Sequence, residues 1–136
     1  MGRVNFGDKL IDRKGITERV TLSGVTLMSW DAFPIPMNDD FLGRIHYAAG
    51  DPVQAPAFMR GSFELKATGD TYLDMKGWKK GLVWINGHNL GRFWDAGPQE
   101  RLFVPGAWLM KGKNEIIVFD IDRTGTAPLR SVTAMK

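Results

Sequence analysis

The stretch that decides the fold runs from Gly81 to Leu109 and reads GLVWINGHNLGRFWDAGPQERLFVPGAWL. An apolar run, Leu82 to Ile85, ends in Asn86-Gly87. That pair is a strong hairpin signal, because both residue types tolerate positive φ and a two-residue return needs it twice. The chain re-enters as Leu90-Gly91-Arg92-Phe93-Trp94, turns around Gly97-Pro98, and makes a third short run, Arg101 to Val104. That run stops at Pro105-Gly106, since proline lacks the amide hydrogen a ladder requires. Three short strands joined by tight turns, with large rings along all of them, place the centre of an all-β domain here.

Outward from this segment the pattern continues. Residues 16–22 alternate, with Ile16, Val20 and Leu22 on one parity and Glu18 interrupting it, as in a half-buried strand near an edge. Val25 to Trp30 reads as the next strand, after a turn at Gly24. Residues 31–57 carry four prolines (34, 36, 52 and 56) and read as an ordered surface loop. Within it, a helical turn is expected over Asp39 to Arg44, capped by Asn38 or Asp39. Alternation resumes at 58–66, where Met59, Phe63 and Leu65 face one way and Arg60, Ser62 and Glu64 the other. Thr71 to Met75 reads as another strand, with Leu73 and Met75 on one face.

Beyond Leu109, Lys111 to Asn114 makes a turn. Glu115 to Ile121 is the strongest strand, and its apolar groups on both parities require cover on both sides. Leu129 to Val132 adds a closing strand. Roughly seven to nine short strands with turn chemistry between them imply a two-sheet β-sandwich. At 136 residues, the chain is read as one domain over 1–136.

Composition narrows the chemistry. The absence of cysteine removes disulfides, thiol nucleophiles and cysteine-ligated zinc, and two histidines are too few for an all-histidine metal site. The +3 net charge comes from basic residues spread along the chain. No concentrated basic stripe exists for nucleic acid to bind. No run of about twenty apolar residues exists to form a membrane-spanning helix, so no membrane partner is expected. The start, MGRVNFGD, shows no signal-peptide core and leaves the compartment open.

Glycoside hydrolysis needs two carboxylates held about 5 to 10 Å apart. Glu64, Asp74, Asp95, Glu100, Asp120 and Asp122 supply carboxylates, but their local contexts are those of solvated acids flanking turns. Carbohydrate binding needs less: an exposed ring for the C–H face of a sugar and a few polar partners for its hydroxyls. Trp78 and Trp94, near Asn86, His88 and Arg92, are the candidate set, and Trp30 and Trp78, which sit beside turns, are better placed for exposure than Trp84. Trp84, inside an apolar run, is assigned to the core. Arg92 is expected to pair with Asp95, Glu100 or another acid. Gly87 and Gly91 form no phosphate loop, since no Lys-Ser/Thr follows. Asp39-Asp40 and carbonyls of the proline-rich loop are a candidate structural calcium site, without the full helix–loop–helix calcium pattern. No other cofactor is indicated.

The combination W-x-N-G-x-x-x-G-R-F-W, then G-P-Q, then L-x-V-P-x-x-W-L, spans Trp84, Gly87, Gly91, Pro98, Pro105 and Trp108. With it stand GRVNFG, KGITERVTL, PAFMRGSFEL and GDTYLDMKGWKKG. Together they resemble the C-terminal galactose-binding-like sandwich of the family 35 glycoside hydrolases, the β-galactosidases. The resemblance implies a jelly-roll sandwich that serves a larger, and on this expectation exported, enzyme as an accessory module packed on its other domains. Those six residues would then be structural. It implies no catalytic residue on this chain, because the family's two catalytic glutamates belong to a TIM barrel of about 250 residues that nothing here matches. The polypeptide is on this reading a fragment, with Val4 and Phe6 part of an apolar face left bare. The alternative is a carbohydrate-binding module that recognises galactosides at the sandwich rim.

Overall fold

A computed structural model describes residues 16, 18–50, 54–122 and 127–134. The first-strand expectation around Val4 and Phe6 lies outside the described residues. Contacts group the chain into two units, Met1–Pro36 and Met37–Lys136, where the sequence suggests one domain. In the first, β1 (Thr21–Leu22) and β2 (Val25–Thr26) form a short antiparallel hairpin, far shorter than the alternation over 16–22 suggests. Ser23 and Gly24 both have positive φ at its turn. Every residue of both strands is exposed.

The second unit contains the sandwich. Helix α1 (Asp39–Arg44) starts at Asn38, whose side chain accepts a hydrogen bond from the Phe41 amide, so the cap is Asn38 rather than Asp39. Seven strands follow: β3 (Ala57–Leu65), β4 (Thr71–Asp74), β5 (Lys80–Ile85), β6 (His88–Trp94), β7 (Arg101–Val104), β8 (Gly112–Asp120) and β9 (Arg130–Val132). They build a four-stranded sheet ordered β3-β8-β5-β6 and a three-stranded sheet ordered β7-β4-β9. All the pairings are antiparallel.

Strand β8 lies inside the larger sheet, between β3 and β5, and its two parities face two different cores. Ile116 and Val118 point between the sheets and meet Val83, Ile85 and Phe93 from the same sheet and Leu73, Leu102 and Val104 from the other. Ile117 points to the opposite face, with Trp84 and, beneath α1, Leu42. Phe58 stacks on Phe119 at 4.3 Å and meets Phe41 edge-on, extending this second layer. Cover on both sides is what an uninterrupted apolar strand requires. Trp84 is core as expected, but it belongs to the layer under α1 rather than to the sandwich interior.

One glycine is fixed by contact. A Cβ at Gly81 would sit 1.7 Å from the Phe119 carbonyl oxygen, so only glycine lets β5 approach β8 at that point. At the other end of β5, Asn86 (φ 49°) and Gly87 (φ 82°) make the two-residue return to β6. The β5–β6 register then slips, with Trp84 opposite Asn89 and Val83 opposite Gly91, so Leu90 is the extra residue of a bulge.

No helix among the described residues is long and apolar enough to cross a membrane.

Candidate functional site

The five residues singled out for sugar contact lie at two ends of one hairpin. Asn86 and His88 are at its tip; Trp94 ends β6, and Trp78 sits two residues before β5 begins. The structure does not gather them into one site.

The tip is a closed network of amides. The Asn86 side-chain nitrogen donates to the Trp108 carbonyl (2.7 Å) and to Asn114 Oδ1 (2.8 Å), and its oxygen accepts from the Glu115 amide (2.9 Å). Asn114, only 1% exposed, accepts from the Met110 amide and donates to the carbonyls of Met110 and Gly112. Both carboxamides are consumed in tying the hairpin to the segment that enters β8, so Asn86 acts as a brace. His88 lies flat on Trp108, with ring centroids 4.7 Å apart. Trp108 belongs to a 3₁₀ turn, Gly106–Trp108, begun by Pro105, so it serves as a platform for the hairpin tip.

The opposite end, the root, differs. Trp78 is buried, at 3% exposure, so it does not offer the open ring that stacking on a sugar requires, whereas Trp30 is 63% exposed. The Trp78 ring meets Phe93 edge-on and joins the core between the sheets, because the turn from β4 folds inward over the sandwich. Trp94 has Lys80 Nζ 4.9 Å and the Arg92 guanidinium 5.5 Å from its ring centroid, so its π-face is already engaged by cations. The pairing expected for Arg92 goes elsewhere: Asp95 binds Lys79 Nζ at 2.8 Å. That hydrogen bond holds the Asp95 carboxyl below its ordinary range.

Asp120 is a second correction. Expected among the solvated acids, it is fully buried, and its carboxylate accepts from the amides of Lys79 (2.9 Å), Lys80 (3.4 Å) and Asp122 (3.0 Å). Buried charge is tolerated only with such donors. A signal existed: Asp120 shares parity with the inward-facing Ile116 and Val118. Asn114 was hidden by its place in an apparent turn.

Over Trp78 and Phe93 lies a cavity of about 340 Å³, walled by the β4–β5 and β6–β7 connections, including Asp74, Met75, Asp95, Gln99 and Arg101. Two buried polar atoms among the described residues have no hydrogen-bond partner, Trp78 Nε1 and Gln99 Oε1, and both residues line this cavity. A larger space of about 520 Å³ opens between β3 and the β4–β9 edge, lined mainly by apolar groups such as Phe63, Leu73, Ile116 and Leu129. A third, of about 450 Å³, adjoins the tip network beside Arg60, which is paired with Glu115. Asp39 and Asp40 open α1, and Asp40 binds Arg44 at 2.7 Å. Among the described residues no three acidic or histidine side chains gather as a metal site would require.

Residues 56–114 match the family described as β-galactosidase, galactose-binding domain, and residues 1–36 match β-galactosidase, first all-beta domain. The second match ends where the first unit ends. The chain is 39% identical over 132 residues to β-galactosidase-1-like protein 2 of Homo sapiens, covering 93% of this chain and 21% of that protein. It is 43% identical over 104 residues to a β-galactosidase of Xanthomonas manihotis, covering 76% of this chain and 17% of that protein. To the β-galactosidase of Homo sapiens it is 38% identical over 143 residues, at 90% and 21% coverage. The chain thus spans only about a fifth of the length of these relatives.

Proposed function

We propose, from the premise that this chain belongs to the β-galactosidase family, that it is a non-catalytic accessory region of a β-galactosidase-like glycoside hydrolase. It works by packing against the other domains of a longer polypeptide. The observation that carries this reading is in the first unit. Eight large apolar side chains between Ile16 and Ile35 are exposed, from 36% at Leu27 to 85% at Phe33. So many exposed apolar groups in one short segment suit an interaction surface, and the segment lies within the stretch that matches the family's first all-beta domain.

The carboxylates of the sandwich support the non-catalytic part of the reading. Asp74 faces Arg101, Asp95 binds Lys79, Glu115 binds Arg60, and Asp120 is held by backbone amides. Acids tied to cations and amides are poor candidates for an opposed acid and nucleophile across a sugar.

The test compares this chain with a longer one that carries the complete first all-beta domain. The short chain should bind a hydrophobic dye strongly and exchange its amide hydrogens quickly over 18–35; both signals should fall in the longer chain. Equal, low dye binding and protected amides in the short chain would remove the packing role. Turnover of a chromogenic galactoside by the short chain would remove the non-catalytic one.

A further inference from the structure

We infer that the outer edge of β3 pairs with the same edge of a second copy of this chain, in an antiparallel join centred on Ser62. The two larger sheets then run into one. This edge belongs to the sandwich, and the inference goes beyond the packing role proposed for the first unit.

Of the four edge strands of the sandwich, β3 is the one without a device against edge pairing. Its nine residues pair with β8 in unbroken register, and among the described residues no hydrogen bond links it to any other strand. The backbone groups that point away from β8 are therefore unpartnered along a strand about 30 Å long. Natural edges are blunted by shortness, bulges, prolines or lysines. Strands β7 and β9 have four and three residues. Strand β6 carries the bulge at Leu90, and its end is closed by the Trp94 amide donating to the Gln99 carbonyl. Within β3 there is neither proline nor lysine, and Arg60, Gly61 and Ser62 at its middle are exposed.

The sequence of β3, AFMRGSFEL, selects the occupant. Directly opposed residues of an antiparallel pair share a face, so a strand joined to its own copy must be centred on one residue. Centring on Arg60 sets two arginines against each other, and centring on Phe63 sets Arg60 against Lys66. Centring on Gly61 leaves glycine against glycine and gives neither Arg60 nor Glu64 an opposite charge. Centring on Ser62 sets Arg60 opposite Glu64 twice, and opposite charges across a pair stabilise it. Glu64 makes no ion pair among the described residues, and Arg60 keeps guanidinium donors beyond those used on Glu115.

On the opposite face, where Met59 and Phe63 pack against the core between the sheets, the same register brings Met59 opposite Leu65. It also lays each Phe63 over Gly61 of the other copy. A Cβ at Gly61 would meet Ile116 at an ordinary 3.5 Å and nothing else within 4 Å, so the room above it is open to a ring. Cover of an edge glycine by an aromatic ring across the pair supports a sheet and pins its register. The contact uses the same patch on both copies, so it closes at a dimer.

The experiment uses the 136-residue chain, which has no cysteine, so an introduced one is its only thiol. Opposed Cα atoms of an antiparallel pair lie about 4.5 to 5.5 Å apart, within the roughly 4.4 to 6.8 Å that a disulfide accepts. Ser62→Cys, on the two-fold axis, should therefore oxidise to a covalent dimer at least tenfold faster than Glu64→Cys. The two thiols of the latter would sit about 13 Å apart along the strands. Sedimentation velocity of the unsubstituted chain from about 5 to 500 µM, which brackets Kd values from roughly micromolar to millimolar, should show a reversible monomer–dimer equilibrium. Glu64→Arg, which sets like charges across the join, should raise the Kd at least tenfold with an unchanged circular dichroism spectrum. Equal oxidation rates at the two positions would overturn the inference, whether the unsubstituted chain stays monomeric or dimerises through another surface. A dimer whose Kd is indifferent to Glu64→Arg would overturn it too.

Discussion

The two ends of the β5–β6 hairpin are built from similar residues and solve the same problem in opposite ways. At the tip, two asparagines, Asn86 and Asn114, place every side-chain amide group against a backbone or side-chain partner. At the root, Trp78 and Gln99 leave a donor and an acceptor unmet beside a cavity. A saturated polar network fixes one conformation and has nothing left to offer a ligand. An unsaturated one carries a cost, here on two atoms that are sealed from solvent. Apparent polarity in a sequence therefore says little about recognition until the partners of each atom are counted.

The contrast can be broken most severely at the tip. Asn114→Ala removes four hydrogen bonds and leaves the Met110 amide and one of the bonds made by the Asn86 side-chain nitrogen without their partner. Urea unfolding should show a loss of about 3 to 5 kcal/mol. A loss below about 1 kcal/mol would mean that water replaces these bonds and that the tip is no brace.

At the root, removal of a polar atom should have little effect. Trp78→Phe deletes an N–H that has no partner, and the relief offsets part of the lost ring packing, so stability should change by no more than about 1 kcal/mol. A penalty of about 3 kcal/mol or more in the same urea experiment would show that the N–H is already satisfied, and the distinction between the ends would disappear.

The smallest expected effect concerns the exposed Lys79–Asp95 pair beside the cavity. The Asp95 carboxyl is held below its ordinary range in the folded chain. Its contribution is therefore fully present above the unfolded value of about 3.9 and fades as pH falls through the lower folded value. Thermal melts at pH 6 and pH 2.5 (roughly either side of that window) should show a slightly larger acid-induced drop for the native chain than for Asp95→Asn. Identical drops would mean that solvent screens the pair completely.

Much of this architecture is legible in the sequence because it rests on local chemistry. Asn86-Gly87 meets the positive-φ demand of its turn, Asn38 caps a helix of the anticipated extent, and the double-sided apolar run over Glu115–Ile121 predicts cover on both faces. The site was less legible. Turns flank both Trp30 and Trp78, yet of the two only Trp30 is exposed, because the connection after β4 takes the Trp78 ring inward. Arg92 looked like half of an ion pair, but it lies over Trp94 while Lys79 takes Asp95. Both depend on which elements become neighbours once the sheets pair.

The residues alone determined the strand periodicity, the tight turns, the helix cap and the two-sheet β-sandwich, since each follows from backbone sterics and alternation within a few positions. Only the tertiary structure decided which polar atoms were spent and which were left open. A hydrogen bond between Asn86 and Asn114, or a missing partner at Trp78, exists only once sheet pairing has brought remote segments within 3 Å or failed to do so.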